Sequence, residues 1–414
     1  MSRFLVYVSP AVGHTLPLVP GLLELQRRGH DVHVRCVSTL VGTLRDAGLE
    51  ASHVDPSVTG IAINDYLASG DADRLRSGQV DLMARGRHDG PDLARAISAH
   101  RPDVLLVDVN AYGARVHAEA SGLPWATLLP SVVPLPGAGI PPYGPGLAPM
   151  RGPVGWLRAR ILWKAVERAF GKAMLPGLNA LRTDAGLAPF RSPLDQFDGR
   201  SVVIALTSEP LEYARPDLPE YVHLVGTQPW DPPARRPAYL DEPGDPWVLV
   251  TCSTDYQGDE ELARVAVEAL RDEPVRVLLT LADAYGEVSL PESRNVRVER
   301  FVPHGQVLPE TAVVVCHGGM GIVTRAATAG VPTVVVPFGR DQPEIARRVV
   351  ESGAGVSLTP KKLTADALRQ AVRTARTMSD SARAVAAQLD PESSPARFAD
   401  AALTLVRPTV TNGA

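Results

Sequence analysis

Hydrophobic positions along this chain follow two alternating rhythms. Short apolar runs rich in β-branched residues occupy 4–9, 104–107, 125–129, 202–206 and 222–225, and residues 32–37 alternate apolar with polar. These have the length and composition of strands, most of them buried on both faces. Between them apolar residues recur at helical spacing over 16–28, over 40–47 closed by Gly48, up to about 100, over 111–120 and from 156 to about 183, where one face is basic. Alternation of this kind predicts an α/β fold, a parallel sheet covered by helices.

Three stretches break the rhythm. Residues 55–77, rich in Gly, Ser and Asp, read as a loop. Residues 130–155 hold Pro134-Leu135-Pro136-Gly137 and Pro141-Pro142-Tyr143-Gly144-Pro145-Gly146, and a loop this long inside a compact domain is usually functional or disordered; a wall of an acceptor site is the favoured reading. Residues 229–237 and 243–246 are stiff with proline and polar, which marks an interdomain linker. The pattern then restarts, with a strand at 247–251, a helix from about 259 to 271 and a strand at 275–281. The expected organisation is a domain over 1–228, a linker over 229–246, a second domain over 247–390, and a last helix with a tail over 391–414.

The second domain holds the most informative unit. Ala312-Val313-Val314-Val315-Cys316 is a strand, His317-Gly318-Gly319-Met320-Gly321 a turn, and an alanine-rich helix leads to a second strand that ends near Asp341-Gln342. Glycines at such a turn either serve tight helix–strand packing or let backbone N–H groups approach an anion at the positive end of a helix. His317 and the polyol-binding capacity of Asp341 and Gln342 favour a diphosphate carrying a sugar. The spacing Gly-Gly-x-Gly departs from the Gly-x-Gly-x-x-Gly of dinucleotide sites.

Length and charge narrow the classes. At 414 residues the chain can bury two cores. A net charge of −4 gives no basic footprint for nucleic acid. Cys36, Cys252 and Cys316 lie far apart beside apolar runs and read as buried thiols of a cytoplasmic protein. No run reaches the ~18 apolar residues of a membrane span.

The segment from His317 to Gln342 resembles the donor-binding signature of the family 1 glycosyltransferases, and the resemblance covers nearly the whole chain. It implies the GT-B fold, two facing Rossmann-like domains with parallel sheets and a C-terminal crossover helix. It implies inverting transfer from a nucleoside diphosphate sugar to an apolar natural-product acceptor, without cofactor or metal. The family's base lies in a Gly-His-x-x-Pro turn, matched by Gly13-His14-Thr15-Leu16-Pro17, and its orienting carboxylate by Asp108. Asp108 at a strand end also fits a helix cap.

On the donor side the resemblance assigns the diphosphate to His317, Gly318, Gly319 and Gly321 with Ser253 or Thr254, and the hexose to Asp341 and Gln342. It assigns the base to Phe301 and Val302, although a phenylalanine there fits a core equally well. Val12, Pro136 and Tyr143 are expected to line the acceptor site. Arg325 stands where a ribose-binding Glu is usual and either bears on the nucleotide or points to solvent; Ile322 replaces a usual Ser or Thr. Asp71-Ala72-Asp73 resembles a metal motif of the other glycosyltransferase fold but reads as a solvated loop. A sugar-nucleotide 2-epimerase and a non-catalytic partner protein share this architecture and remain as alternatives, and the oligomeric state is not legible.

Overall fold

The computed structural model describes residues 1–254 and 257–406. Thirteen strands form among them: β1 (Arg3–Tyr7), β2 (Asp31–Cys36), β3 (Glu50–His53), β4 (Val104–Asp108), β5 (Trp125–Leu129), β6 (Val202–Ala205), β7 (Val222–Leu224), β8 (Trp247–Thr251), β9 (Arg276–Thr280), β10 (Val296–Glu299), β11 (Thr311–Cys316), β12 (Thr333–Val335) and β13 (Gly355–Ser357). They build two sheets, seven strands in the order β3-β2-β1-β4-β5-β6-β7 and six in the order β10-β9-β8-β11-β12-β13. Every pairing is parallel.

The continuous apolar runs follow from this geometry. Along β1, Phe4 and Val6 enter a core with Leu22, Leu25 and Leu44, while Leu5 and Tyr7 enter another with Leu93, Ala96 and Ala114. Helices therefore cover both faces, and no strand residue in the sheet centre can be polar without a partner. In each sheet the strand order reverses at one point, between β1 and β4 and between β8 and β11. Ligands of open α/β sheets bind in the crevice outside such reversals.

The last helix, Ser394–Leu403, packs on helix Val19–Arg27 of the first half. Phe398 is fully buried in the first core, and a Cβ on Gly21 would overlap its ring. Arg28 ties the helices by donating to Asp400 and to the Ala396 carbonyl.

Residues 55–77 are more ordered than their composition predicts. One helical turn spans Pro56–Thr59, a 3-10 turn spans Asp65–Leu67, and helix Asp71–His100 begins where loop was expected. Two glycines of that helix serve packing: a Cβ on Gly86 or Gly90 would stand only 3.2 or 3.0 Å from the backbone of Gly113. Asp73 pairs with Arg76 at 2.7 Å on the exposed surface. The irregular segment after β5 ends at Arg151, because helix Gly152–Asp184 starts four residues before the expected 156. Among the described residues no helix is long and apolar enough to cross a membrane, and residues 407–414 of the expected tail lie outside them.

Phe398→Ala is expected to cost about 3–5 kcal/mol, the range for emptying a buried aromatic site. Differential scanning calorimetry should show a lowered melting temperature, and limited proteolysis should cut within 390–393 sooner. An unchanged melting point and cleavage pattern would mean the helix contributes nothing to holding the halves.

Candidate active site

The first half of the site lies at the β1/β4 reversal. After β1, Ala11 in extended conformation starts the one-turn helix Val12–Thr15, whose Thr15 hydroxyl donates to the Ala11 carbonyl at 3.0 Å. This fixes His14 beside the carboxyl end of β4. Asp108, the last residue of β4, is completely buried, and its Oδ2 lies 2.7 Å from His14 Nδ1. Its Oδ1 accepts from Asn110 N at 2.9 Å. A carboxylate can only accept, so the proton sits on Nδ1 and the lone pair on Nε2. The His14 side chain is 26% exposed against 0% for Asp108, so it is the imidazole that solvent or substrate reaches. Asn110 Nδ2 stands 3.5 Å from Nε2; sequence reading passed over it, although its place two residues beyond a strand-end aspartate was a usable signal.

The second half lies at the β8/β11 reversal. Gly318 has φ +96°, and a Cβ there would meet Val335 and Gln342, while one on Gly319 would stand 2.5 Å from His317 Nε2. Side chains larger than hydrogen are excluded, which leaves backbone amides at the start of helix Met320–Thr328 facing the sheet edge. Burial pushes the His317 imidazole down to about 4. It is therefore neutral at pH 7 and contributes a hydrogen-bonding edge, so the local positive potential comes from the helix dipole. Its Nδ1 is 3.9 Å from Asp259 Oδ2. Burial raises that carboxyl to about 6, and Ser253 N donates to it at 2.7 Å. Thr254 is exposed and Ser253 half-buried. In the sequence Asp259 marks only a helix boundary, which it is, since helix Glu260–Leu270 follows.

The two edges meet directly. Ser131, just beyond β5, donates its hydroxyl to Asp341 Oδ2 at 2.6 Å, and Arg74 donates to the Phe338 carbonyl at 2.7 Å. Arg340 grips Asp65 through two bonds of 2.9 and 3.1 Å. Behind them, Glu344 accepts from the amides of Gly144 and Gly146 at 3.0 and 2.7 Å. Arg348 bridges Glu344 at 3.0 Å and Glu212 at 2.8 Å, and Glu212 accepts from Val133 N at 2.8 Å. The proline-glycine segment is thus pinned at its base and at its tip to helix Gln342–Ser352.

Other expected residues fall in different places. Gln342 is only 3% exposed and its amide is engaged at both ends: Nε2 donates to Gln257 at 2.7 Å, and Oε1 accepts from Phe338 N and Gly339 N at 2.7 and 3.2 Å. It braces the turn that presents Asp341. Arg325 does not point to solvent; its guanidinium donates to the carbonyls of Gly321 and Trp230 at 2.9 and 2.5 Å and lies 3.2 Å from Asp231. Phe301 is 54% exposed, whereas Val302 is buried in the second core. Tyr143 packs half-buried in the seam, where burial and the Asp341 and Glu344 charges push its hydroxyl above its ordinary value. Pro136 is exposed, its carbonyl accepting from Arg215 at 3.0 Å, and Val12 packs on the first core.

Comparison with known proteins places this geometry. Residues 267–402 match the family model described as erythromycin biosynthesis protein CIII-like, C-terminal domain. The chain is 31% identical to 4'-demethylrebeccamycin synthase of Lentzea aerocolonigenes over 392 residues, 90% of this chain and 91% of the relative. It is 30% identical to vancomycin aglycone glucosyltransferase of Amycolatopsis orientalis over 400 residues, 93% and 92% of the two chains. Among solved structures, the glycosyltransferase of kitacinnamycin superposes with a TM-score of 0.74 at 23% identity over 98% and 99% of the chains. The glycosyltransferase VinC in complex with dTDP does so with 0.67 at 23% over 98% of each. Similarity that spans nine-tenths of both chains, on the two-sheet GT-B fold, means that this protein belongs to the natural-product glycosyltransferases of antibiotic pathways.

Proposed function

We propose that this glycosyltransferase moves a hexose or deoxyhexose from a nucleoside diphosphate sugar to a hydroxyl of an apolar aglycone, with inversion and without a metal ion. The observation that carries the reading is the His14–Asp108 pair at one sheet reversal, with the glycine turn at the other and the two edges joined by the Ser131–Asp341 bond. Nε2 of His14 takes the acceptor proton as the acceptor oxygen attacks the anomeric carbon. The bond to the diphosphate breaks on the opposite side, and the electron pair leaves with the nucleotide. Asp108 stabilises the imidazolium that forms. The amides of Gly318, Gly319 and Gly321, the helix dipole and the His317 edge meet the departing charge, with the Ser253 and Thr254 hydroxyls beside them.

In this reading Asp341 faces the sugar and Gln342 supports it from behind. Phe301, exposed on the loop after β10, is the stacking surface for the base, and the backbone at Val302 reads its edge. Val12 and Tyr143 bound the acceptor from two sides, and Pro136 stands at the outer rim. The names of the relatives, a vancomycin aglycone glucosyltransferase among them, support a natural-product acceptor. Arg325 offers no acceptor for a ribose diol, and its guanidinium is anchored on the Gly321 and Trp230 carbonyls, which supports dTDP-sugars as donors.

His14→Ala is expected to lower kcat by 10²-fold or more while the dissociation constant of the nucleotide diphosphate barely moves, because a general base acts on the acceptor. Asp108→Asn should be less impaired. Steady-state kinetics with one phenolic acceptor, paired with calorimetry, checks both; a His14→Ala enzyme that keeps more than about a tenth of its kcat removes His14 from the role.

Asp341→Ala should weaken binding of the intact donor and spare the bare nucleotide diphosphate. Gln342→Ala, by loosening the 338–339 turn, should weaken both. Equal losses for both ligands in Asp341→Ala would move that carboxylate away from the sugar.

Donor choice should favour dTDP-glucose over UDP-glucose, or match it, by a margin of one neutral hydrogen bond, ~0.5–1.5 kcal/mol. The ratio of kcat/KM with one acceptor decides it. A UDP preference of about tenfold or more, ~1.4 kcal/mol, would contradict the reading of Arg325.

A further inference from the structure

Helix Gly152–Asp184 has a surface that neither core nor cleft uses. Its inner side is fixed to the first half: Met174 and Leu178 are buried, and Trp163 Nε1 donates to the Ile140 carbonyl at 3.0 Å. Its outer side carries large apolar groups in the open, Val154 at 73%, Leu157 at 54% and Ile161 at 59% exposure, with Trp156 at 50% on the flank. Positions 154, 157, 161, 164, 168 and 172 are spaced by three or four residues and share one side of the helix. The first three are apolar and the last three are Lys164, Arg168 and Lys172, all exposed.

Charge on this side is unbalanced. Among the described residues none of Lys164, Arg168 and Lys172 forms an ion pair, although many arginines elsewhere do. Arg160 leans over the Trp156 ring at 5.5 Å instead of meeting a carboxylate. Glu167, the one acid between 151 and 172, accepts from the Ser192 hydroxyl on another side. The chain as a whole is negative, −4, so this is a local concentration of cations.

The occupant must accept aliphatic groups over two turns and cations over the next two. A second copy docked on the same side by a twofold axis brings no acid from that side to Lys164, Arg168 and Lys172, because Glu167 is the one acid between 151 and 172 and is engaged by Ser192. Nucleic acid would match the cations and leave Val154, Leu157 and Ile161 in water. The headgroup layer of an anionic bilayer matches both, because aliphatic side chains enter the acyl boundary, tryptophan sits at headgroup level and Lys or Arg meets phosphate. We propose that the side of the helix from Val154 to Lys172 is a docking surface for anionic phospholipid membranes, on which the enzyme rests peripherally. The Trp163–Ile140 bond, on the opposite side of the helix, leaves this surface facing away from the proline-glycine segment.

The full-length protein is sedimented with vesicles of phosphatidylcholine alone and of phosphatidylcholine mixed with phosphatidylglycerol. Binding is expected only to the anionic vesicles, falling as salt is raised. A Leu157→Glu, Ile161→Glu variant and a Lys164→Glu, Arg168→Glu variant should each bind about tenfold or more weaker, with unchanged melting temperature and unchanged transfer to a water-soluble acceptor. These side chains are exposed, so the fold is not at stake. Failure of the wild type to bind, equal binding to both vesicle types, or variants that bind as the wild type does would each overturn the proposal. Concentration-dependent dimers in light scattering, abolished by Leu157→Glu, would assign the face to a second copy and overturn it as well.

Discussion

The cleft depends on one buried ion bridge. Arg348, Glu212 and Glu344 are exposed by only 4%, 2% and 1%, and one guanidinium is shared between carboxylates of the two halves. Burying three charges is not in itself a source of stability, since desolvation offsets the attraction. What the bridge provides is definition. The lone pairs that the arginine leaves unused accept the amides of Val133, Tyr213, Gly144 and Gly146. A segment with seven prolines and glycines between 134 and 144 cannot satisfy its own backbone by forming a helix or sheet, so these carboxylates do it. The wall of the cleft thereby takes its shape from the helix that also presents Asp341.

Electrostatics at the glycine turn are carried by dipoles. With His317 neutral, the attraction for an anion rests on amide groups whose direction is fixed by Gly318 and Gly319. Such a field does not titrate and needs no rearrangement when charge develops. The group nearby that does change state around neutrality is Asp259, held by Ser253 N.

Local pattern carried much of this in the sequence. Strands buried on both faces read as unbroken apolar runs, and Asp108 and His317, which follow such runs directly, are conspicuous for that reason, whereas His14 stands out only through the resemblance of its Gly-His-x-x-Pro turn. Residues 55–77 are less legible because their Gly, Ser and Asp content suits a loop, whereas Gly60 closes the turn Pro56–Thr59 and Gly70, at φ +93°, precedes helix Asp71–His100. Arg325 and Gln342 could be located but not oriented. The acceptor of Arg325 is the Trp230 carbonyl, 95 positions away, and the partner of Gln342 is Gln257, 85 away. Glu344 and Arg348 were passed over for the same reason, since Gly144 is 200 residues distant and Glu212 136.

The linker has a mechanical side. Asp231 accepts from Gly305 N at 2.8 Å and Arg325 holds Trp230, so this strand of chain belongs to the second half almost from where it leaves β7. The chain crosses between halves once before Trp230 and once near 390–393, and the crossings touch: Arg397 donates to the Val225 carbonyl at 3.0 Å, and Gly226, at φ +91°, leaves no room for a Cβ beside Ser394. Two adjacent tethers act as an axle. A swing about that line would part Ser131 from Asp341, whereas a slide of one half along the other would have to strain both crossings at once.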